Sequence, residues 1–264
     1  TASMAAFTFN DTLMKMMAGT VPLYQLLFLR GVMTTSVVSV IAWRMGAIPI
    51  RVASRDAMLL LLRSLADTAT AFFFLTALFN MPIANVTAIM QALPLTITLM
   101  AWAVLGVMLI IRPGTSDFTI YSLYGVAAVA CVTARDLITR KMSREVPTIL
   151  IVLTNSAAVM IVFGILTFPA DWQPMSVQAW GLTTGAAVFI IGAYLFSILV
   201  MRIGDISFVA PFRYTGLIWA LVLGYLVFGD WPDAITLFGA VIVVGSGLFM
   251  LYRETQLARG VRRQ

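Results

Sequence analysis

Long apolar runs separated by short polar turns extend along the whole chain. Most runs are close to the ~20 residues that an α-helix needs to cross a bilayer. A backbone in lipid must satisfy its own hydrogen bonds, so the runs predict helices and an all-α fold. The predicted spans are 1–18, 22–43, 57–78, 83–103, a short remnant at 104–111, 118–139, 147–168, 177–200, 206–228 and 234–251.

The composition indicates a polytopic membrane protein. Of the 264 residues 61% are hydrophobic and only 11% are charged, whereas an average soluble domain carries about 25% charged residues. Histidine is absent and Cys131 is the single cysteine, which excludes an internal disulfide, a four-cysteine zinc site and a histidine-dependent catalytic triad. We therefore expect no cofactor and no enzyme activity.

The basic residues predict the orientation of the chain. If the N-terminus is cytoplasmic, the opposite side holds only Arg112 among the loop cations. The cytoplasmic loops and tail then hold Arg44, Arg51, Arg55, Arg140, Lys141, Arg144, Arg202, Arg253, Arg259, Arg262 and Arg263. This bias predicts that both termini are cytoplasmic. We expect the membrane to be a bacterial-type inner (plasma) membrane. The net charge of +6 is thus interpreted as topogenic, with lipid and not nucleic acid as the partner.

An internal repeat is the most informative feature of the chain. A shift of 125 residues sets FTFNDTLMKMM on VTARDLITRKM, and a shift of 122 sets AFFFLTALFNMPIANVTA on AYLFSILVMRIGDISFVA. The matched polar and proline pairs are Asp11 with Asp136, Pro22 with Pro147, Arg30 with Asn155, and Gln91 with Arg213. Five helices in each copy is an odd number, so the two copies are predicted to cross the membrane in opposite orientations. Inverted repeats of this kind are typical of secondary transporters.

The repeat also predicts the domain boundaries. Residues 1–112 form the first five-helix repeat, residues 118–253 the second, and residues 254–264 a basic cytoplasmic tail. Leu217 to Gly247 spans 30 positions, whereas the corresponding Leu95 to Gly106 spans 11. The difference, 30 − 11 = 19 positions, predicts a chain break near 101–105 with that number of residues missing.

Three segments resemble a known family: ALFNMPIANVTAIMQALPL, ISFVAPFRYTGLIWALVLGYLVFGDWP and LFGAVIVVGSGLFML. They are similar to the EamA-type members of the drug/metabolite transporter superfamily, and the resemblance extends over essentially the whole chain. It implies ten helices, built as two inverted five-helix repeats around a central cavity, and export of small metabolites or drugs. The aromatic amino acid and paraquat exporter subfamily is the most similar in architecture. The leucine-glycine-glutamate that typically follows the ninth helix is Phe228-Gly229-Asp230 here.

Polar residues inside apolar helices are the candidate site, because an ionisable side chain in the bilayer is costly unless it faces protein or water. The predicted substrate-binding residues are Asn10, Asp11, Arg30, Gln91, Asp136, Asn155, Tyr194, Arg213 and Tyr214. An arginine holds a carboxylate through two parallel hydrogen bonds, which an amino acid or organic acid would need. The alternative is fixed pairing that locks helices together, above all for Asp11 with Lys15 and Arg63 with Asp67, both at i,i+4.

Helix breaks and small residues predict where the bundle moves and where it packs closely. Pro94, Pro211 and Gly216 are the predicted gating positions, since a proline removes a backbone hydrogen bond and bends a helix. Gly181, Gly185 and Gly192 have the spacing of close helix contacts.

We interpret the chain as a monomeric secondary transporter. It would export small amphipathic metabolites, namely amino acids, related compounds or organic cations, by alternating access. No nucleotide-binding loop is present in the sequence to drive a pump. The alternatives are an integral-membrane enzyme acting on lipid-like substrates, or a channel.

Overall fold

A computed structural model describes residues 2–46, 52–90, 119–168, 172–203 and 215–232, with isolated positions between 234 and 252. The regular elements of these residues are all helical. In chain order they are α1 (Ala2–Lys15), α2 (Leu23–Arg44), α3 (Ser54–Asn80), α4 (Ile83–Met90), α5 (Ile120–Lys141), α6 (Thr148–Thr167), α7 (Val177–Ile203) and α8 (Thr215–Leu223), which continues into a π-helical turn (Gly224–Phe228).

Five of these helices, α2, α3, α5, α6 and α7, are long and apolar enough to cross a membrane. Their positions confirm the predicted spans at 22–43, 57–78, 118–139, 147–168 and 177–200, and the all-helical membrane class is confirmed with them. The predicted chain break at 101–105 lies outside the described residues. So do most of the predicted fourth and fifth helices.

Prolines and glycines lie at the ends of several helices. Pro22 and Pro147 directly precede α2 and α6. At the start of a helix the N–H that proline lacks would have no partner within the helix, so no hydrogen bond is lost. Pro82 separates α3 from α4. Gly19 and Gly46 adopt positive φ angles of 81° and 60°, a conformation that glycine adopts without steric penalty.

The helices pack in matching pairs. α1 lies along α7 and α5 lies along α3, while α2 packs against α6. The 125-residue shift relates α1 to α5, and the 122-residue shift relates α3 to α7. Each packed pair therefore has a counterpart built from the corresponding helices.

The bundle buries apolar side chains inside and exposes others on its outside. The largest buried cluster includes Leu26, Leu75 and Phe163. Large apolar residues are nevertheless well exposed, among them Phe168 at 92% and Trp43 at 75%. Exposed apolar surface of this kind indicates contact with a non-aqueous phase, as expected for helices in lipid.

Among the glycines that the structure describes, the tightest contact is not at a predicted position. A Cβ on Gly31 of α2 would lie 2.9 Å from the Cα of Met160 in α6, so the two backbones touch there. Gly181 and Gly192 have no neighbouring atom within 4 Å of such a position, so the predicted close contact is wrong at both. Gly185 does approach a side chain, at 3.1 Å.

Candidate functional site

A cavity of about 160 Å³ opens between the two packed helix pairs. An engineered protein cavity of ~150 Å³ admits benzene, so this space accommodates a group of roughly that size. Its polar wall includes Asn10, Asp11, Arg30, Asp67, Arg135 and Tyr194. Phe7 and Phe74 contribute to an apolar wall. A mostly apolar site with a few polar groups is typical of a small-molecule pocket.

The structure brings several predicted residues together at this cavity. Asn10, Asp11, Arg30, Tyr194 and the predicted gating residue Gly216 all line it. Asp136 and Asn155 stand behind its wall and bond to residues that do line it. The other predicted residues lie outside the described residues: Gln91, Pro94, Pro211, Arg213 and Tyr214.

The first polar cluster joins α1 to α2. Arg30 Nη1 donates a hydrogen bond to Asn10 Oδ1 at 3.1 Å, and Asn10 Nδ2 donates to Asp11 Oδ1 at 2.9 Å. The amide of Asn10 thus bridges a guanidinium and a carboxylate, and the structure gives no salt bridge between those two charges directly.

The second polar cluster joins α5 and α6 to α3. Arg135 Nη1 donates to Asp67 Oδ1 at 2.6 Å, and the same guanidinium meets Asp136 Oδ1 at 3.0 and 3.1 Å through Nη2 and Nε. Asn155 Nδ2 donates to Asp67 Oδ2. Asp67 is 1% exposed and Asn155 1%. Short charge-assisted bonds between buried groups hold these three helices in one register.

The alternative pairing at i,i+4 is not what the structure shows. Arg63 donates from Nε to Thr139 Oγ1 at 3.0 Å, while the salt bridge of Asp67 is made with Arg135. Lys15 donates to the carbonyl of Met81 at 2.7 Å and lies 3.6 Å from Asp230. Within the described residues neither predicted intrahelical pair forms a salt bridge, and Arg63 and Lys15 bond instead to groups outside their own helices.

Asp67 and Arg135 were not among the predicted substrate-binding residues, yet both line the cavity. A signal for Arg135 was present, because the 125-residue shift places it on Asn10. Asp67 has no polar counterpart under the 122-residue shift, which places it on Phe189. The repeat therefore gave no reason to single it out.

The aromatic side chains divide between cavity and packing. Tyr194 contacts Phe7 edge-on at 5.7 Å, and its hydroxyl interacts with Asp67 and Arg30. Phe72, in contrast, does not line the cavity. Its ring stacks on the ring of Tyr24, with 6.2 Å between the ring centres. Across the described ranges, no three histidine, cysteine, aspartate or glutamate side chains come together in a way that could hold a metal ion.

The class of this protein follows from two observations: its helices are apolar and of membrane length, and their charged side chains line a small cavity. It is a polytopic helical membrane protein with an internal polar site. A family model described as the EamA-like transporter family matches residues 119–252, which is more than half of the 264 residues. The chain belongs to the EamA-like transporter family.

Several curated proteins are similar to the chain. The S-adenosylmethionine uptake transporter of Rickettsia felis is 27% identical over 199 residues, covering 71% of this chain and 63% of that protein. The riboflavin transporter of Vibrio cholerae is 31% identical over 160 residues, covering 60% and 53%. The pseudopaline exporter CntI of Pseudomonas aeruginosa is 22% identical, covering 92% of each. The chain thus spans less than two thirds of the length of the first two.

One solved crystal structure matches 98% of this chain and 98% of its own chain, with a TM-score of 0.64 and 20% sequence identity. At that identity the likeness concerns the fold. It shows that the arrangement of helices described here occurs in an experimentally determined protein.

Proposed function

We propose that the protein is a secondary transporter that moves small amphipathic metabolites through the central cavity by alternating access. The observation that carries this proposal is the cavity itself, which places the charges of Asp11, Arg30, Asp67 and Arg135 beside apolar walls. Intramembrane charges that face a cavity mark substrate or ion pathways. The names of the three relatives, all transporters or exporters, support the same activity.

We propose further that ten helices form two inverted five-helix repeats, residues 1–112 and 118–253, around this cavity. The matching pairs α1 with α7 and α5 with α3 support this arrangement. Binding near the interface of two inverted repeats is the usual arrangement in secondary transporters. Rocking of one repeat against the other would then expose the cavity to each side in turn.

The proposed direction is export, in the inner membrane, by a monomer. The relatives differ in this respect, since one is named for uptake and another for export. Amino acids, related compounds and organic cations are the proposed substrate classes. They carry charged groups that suit the carboxylates and guanidinium groups of the cavity, together with an apolar part that suits Phe7 and Phe74.

Transport can be tested with the purified full chain in proteoliposomes. Vesicles are loaded with an unlabelled amino acid or organic cation, and the entry of the same labelled compound is measured over time. We expect saturable entry that unlabelled compound inside accelerates, because a carrier returns faster when loaded. Linear entry without saturation or counterflow would indicate a channel, and no entry for any member of the panel would refute the proposal.

Orientation has its own test. In a chain with Cys131 replaced by serine, a single cysteine at Arg55 should react with a membrane-impermeant maleimide only after the cells are opened. Labelling from outside intact cells would contradict a cytoplasmic location of the beginning of α3.

A further inference from the structure

The two polar clusters are built from the same three residue types. The 125-residue shift places each member of the first cluster on a member of the second: Asn10 on Arg135, Asp11 on Asp136 and Arg30 on Asn155. In the first cluster the asparagine lies on α1 and the arginine on α2, whereas in the second the arginine lies on α5 and the asparagine on α6. The aspartate occupies the corresponding position in both clusters. In both clusters the arginine and the asparagine bind a carboxylate or each other. The clusters are therefore comparable sites, related to each other by the repeat.

The two clusters differ in what the neighbouring packed helix contributes, which is α3 for the second cluster and α7 for the first. α3 lies along α5 and contributes the Asp67 carboxylate to the second cluster. α7 lies along α1 in the corresponding way, but Val177–Ile203 contains no aspartate or glutamate at all. Phe189 falls on Asp67 under the 122-residue shift, and the next residue, Ile190, lines the cavity. The first cluster therefore has no counterpart of the Asp67 carboxylate.

Arg30 is the residue that this difference affects. It is 5% exposed, and in the part of the chain that the structure describes its one side-chain hydrogen bond is to Asn10, with no salt bridge. A guanidinium has five N–H donors. The other guanidinium nitrogens of Arg30 make no hydrogen bond within the described residues, yet they are not completely buried. Because Arg30 lines the cavity, these donors face the open space.

The two arginines thus have different electrostatic surroundings. Arg135 touches two carboxylates, Asp67 and Asp136. Arg30 touches a neutral amide, and the Asp11 and Asp67 carboxylates and the Tyr194 hydroxyl act on it only at longer range. A charge held inside a membrane bundle without a close counter-ion is unfavourable, and an anion entering the cavity would remove that deficit.

We propose that Arg30 binds the carboxylate of the transported ligand, in the place that Asp67 occupies in the other cluster. The proposal rests on the proposed transport function and names its substrate class. Asp11, held by Asn10 beside Arg30, is available for an ammonium group on the same ligand. The site therefore takes small zwitterions with an amino-acid head group and an apolar side chain facing Phe7 and Phe74.

Matched ligand pairs test this on the unmodified protein. L-alanine, L-leucine and L-phenylalanine are each compared with their carboxamides, which keep the ammonium group and side chain but lose the anionic charge. Binding to the full chain in detergent is measured by calorimetry or thermal shift, and flux is measured in proteoliposomes. We expect at least tenfold tighter binding of the acid than of the amide for one or more pairs.

Two substitutions place the effect at Arg30. Arg30→Gln should abolish the preference for the acid over the amide, and Arg30→Lys should restore part of it, since an ammonium keeps the charge but not the planar fork. Ile190→Asp adds a carboxylate to α7 and should weaken binding of the acid at least tenfold. Ile190→Asn is its uncharged control. Arg44→Gln, at the exposed end of α2, should leave binding unchanged.

The outcomes separate this inference from the transport function. Equal or tighter binding of the amides overturns it, and so does flux carried only by compounds without a carboxylate, although transport itself would then stand. Acid-selective binding that depends on Arg30 but occurs without flux would support the site and refute transport. Failure of all three acids to bind overturns the inference as well. If Arg30→Gln does not fold, the ligand pairs on the unmodified chain and Ile190→Asp against Ile190→Asn still decide the question.

Discussion

Replacing Asp67 by alanine should be among the most destabilising single changes in the bundle. Asp67 lies in the middle of α3 and is 1% exposed. Its two oxygens accept hydrogen bonds from Arg135 of α5 and Asn155 of α6. Asp67→Ala removes both bonds at once and leaves a buried guanidinium and a buried amide with fewer partners.

The expected size follows from these contacts. A hydrogen bond to a charged group contributes about 1.5–3 kcal/mol, and removing one partner of a buried ion pair costs roughly 3–5 kcal/mol. Asp136 still holds the guanidinium of Arg135 at 3.0 Å, so its charge is not left without a counter-ion. We therefore expect Asp67→Ala to lower the free energy of unfolding by about 3–4 kcal/mol, in the lower part of that range.

The measurement is reversible unfolding of the purified chain in mixed detergent and SDS, followed by the helical circular dichroism signal. Asp56→Ala is the matched control, because Asp56 lies in the same helix, is also buried, and accepts a single bond from the Ser143 backbone N–H at 3.1 Å. We expect the control to lose about 1 kcal/mol. A loss below about 1.5 kcal/mol for Asp67→Ala, or one no larger than the control, would refute the counter-ion role of Asp67.

Two further predictions concern packing and the end of α1. Gly31→Ala should destabilise the fold by about 1–3 kcal/mol, because its Cβ would meet the Met160 backbone at 2.9 Å and a backbone yields less than a side chain. Gly192→Ala, where no atom lies within 4 Å, should be neutral or stabilising by up to about 1 kcal/mol in the same unfolding measurement; equal losses would contradict the close approach. Lys15→Met should cost about 1–2 kcal/mol, since the Lys15 side chain is 12% exposed and the change removes its 2.7 Å bond to the Met81 carbonyl and its contact with Asp230. Asp230→Asn, which keeps that carbonyl bond, should cost less than half as much, and the reverse order would show that the ion pair dominates.

The helices could be predicted from the sequence, because the property that defines them is local. A run of apolar residues of bilayer length must satisfy its own backbone hydrogen bonds wherever it lies in the bundle. The prolines before α2 and α6 mark their first turns for the same local reason. The ends of α2, α3, α5, α6 and α7 therefore agree with the predicted spans to within a few residues.

The partners of the buried charges could not be predicted, because they depend on how neighbouring helices are rotated. Asp67 lies one turn from Arg63 in α3 yet bonds to Arg135, 68 positions away. Which face of α3 meets α5 is decided by side-chain packing along the whole contact, and a single spacing carries no information about it. Asp136 pairs with its sequence neighbour Arg135, and a contact between adjacent residues does not depend on how one helix is rotated against another.

The glycine positions illustrate the same limit. Gly181 and Gly185 have the spacing that favours close helix contacts, but only the second meets a neighbour. Gly31 has no such spacing and nevertheless lies against the backbone of Met160. A glycine matters for packing only where another helix crosses it, and crossing points are a property of the assembled bundle.

The bond between Asp67 and Asn155 provides a last prediction, in which the carboxylate and the amide exchange places. Asp67→Asn removes the charge beside Arg135, and Asn155→Asp sets a second carboxylate against the first. Each single change should therefore destabilise the fold. In the double variant the amide on α3 can donate to the carboxylate on α6 while its oxygen still accepts from Arg135. The negative charge therefore moves by about one hydrogen-bond length, ~3 Å.

We expect the double variant to be more stable than the sum of the single losses predicts, by about 1–3 kcal/mol of coupling. Additive losses in the same unfolding measurement would mean that Asp67 and Asn155 do not share a hydrogen bond in the folded protein, and that α3 and α6 are held together by packing alone.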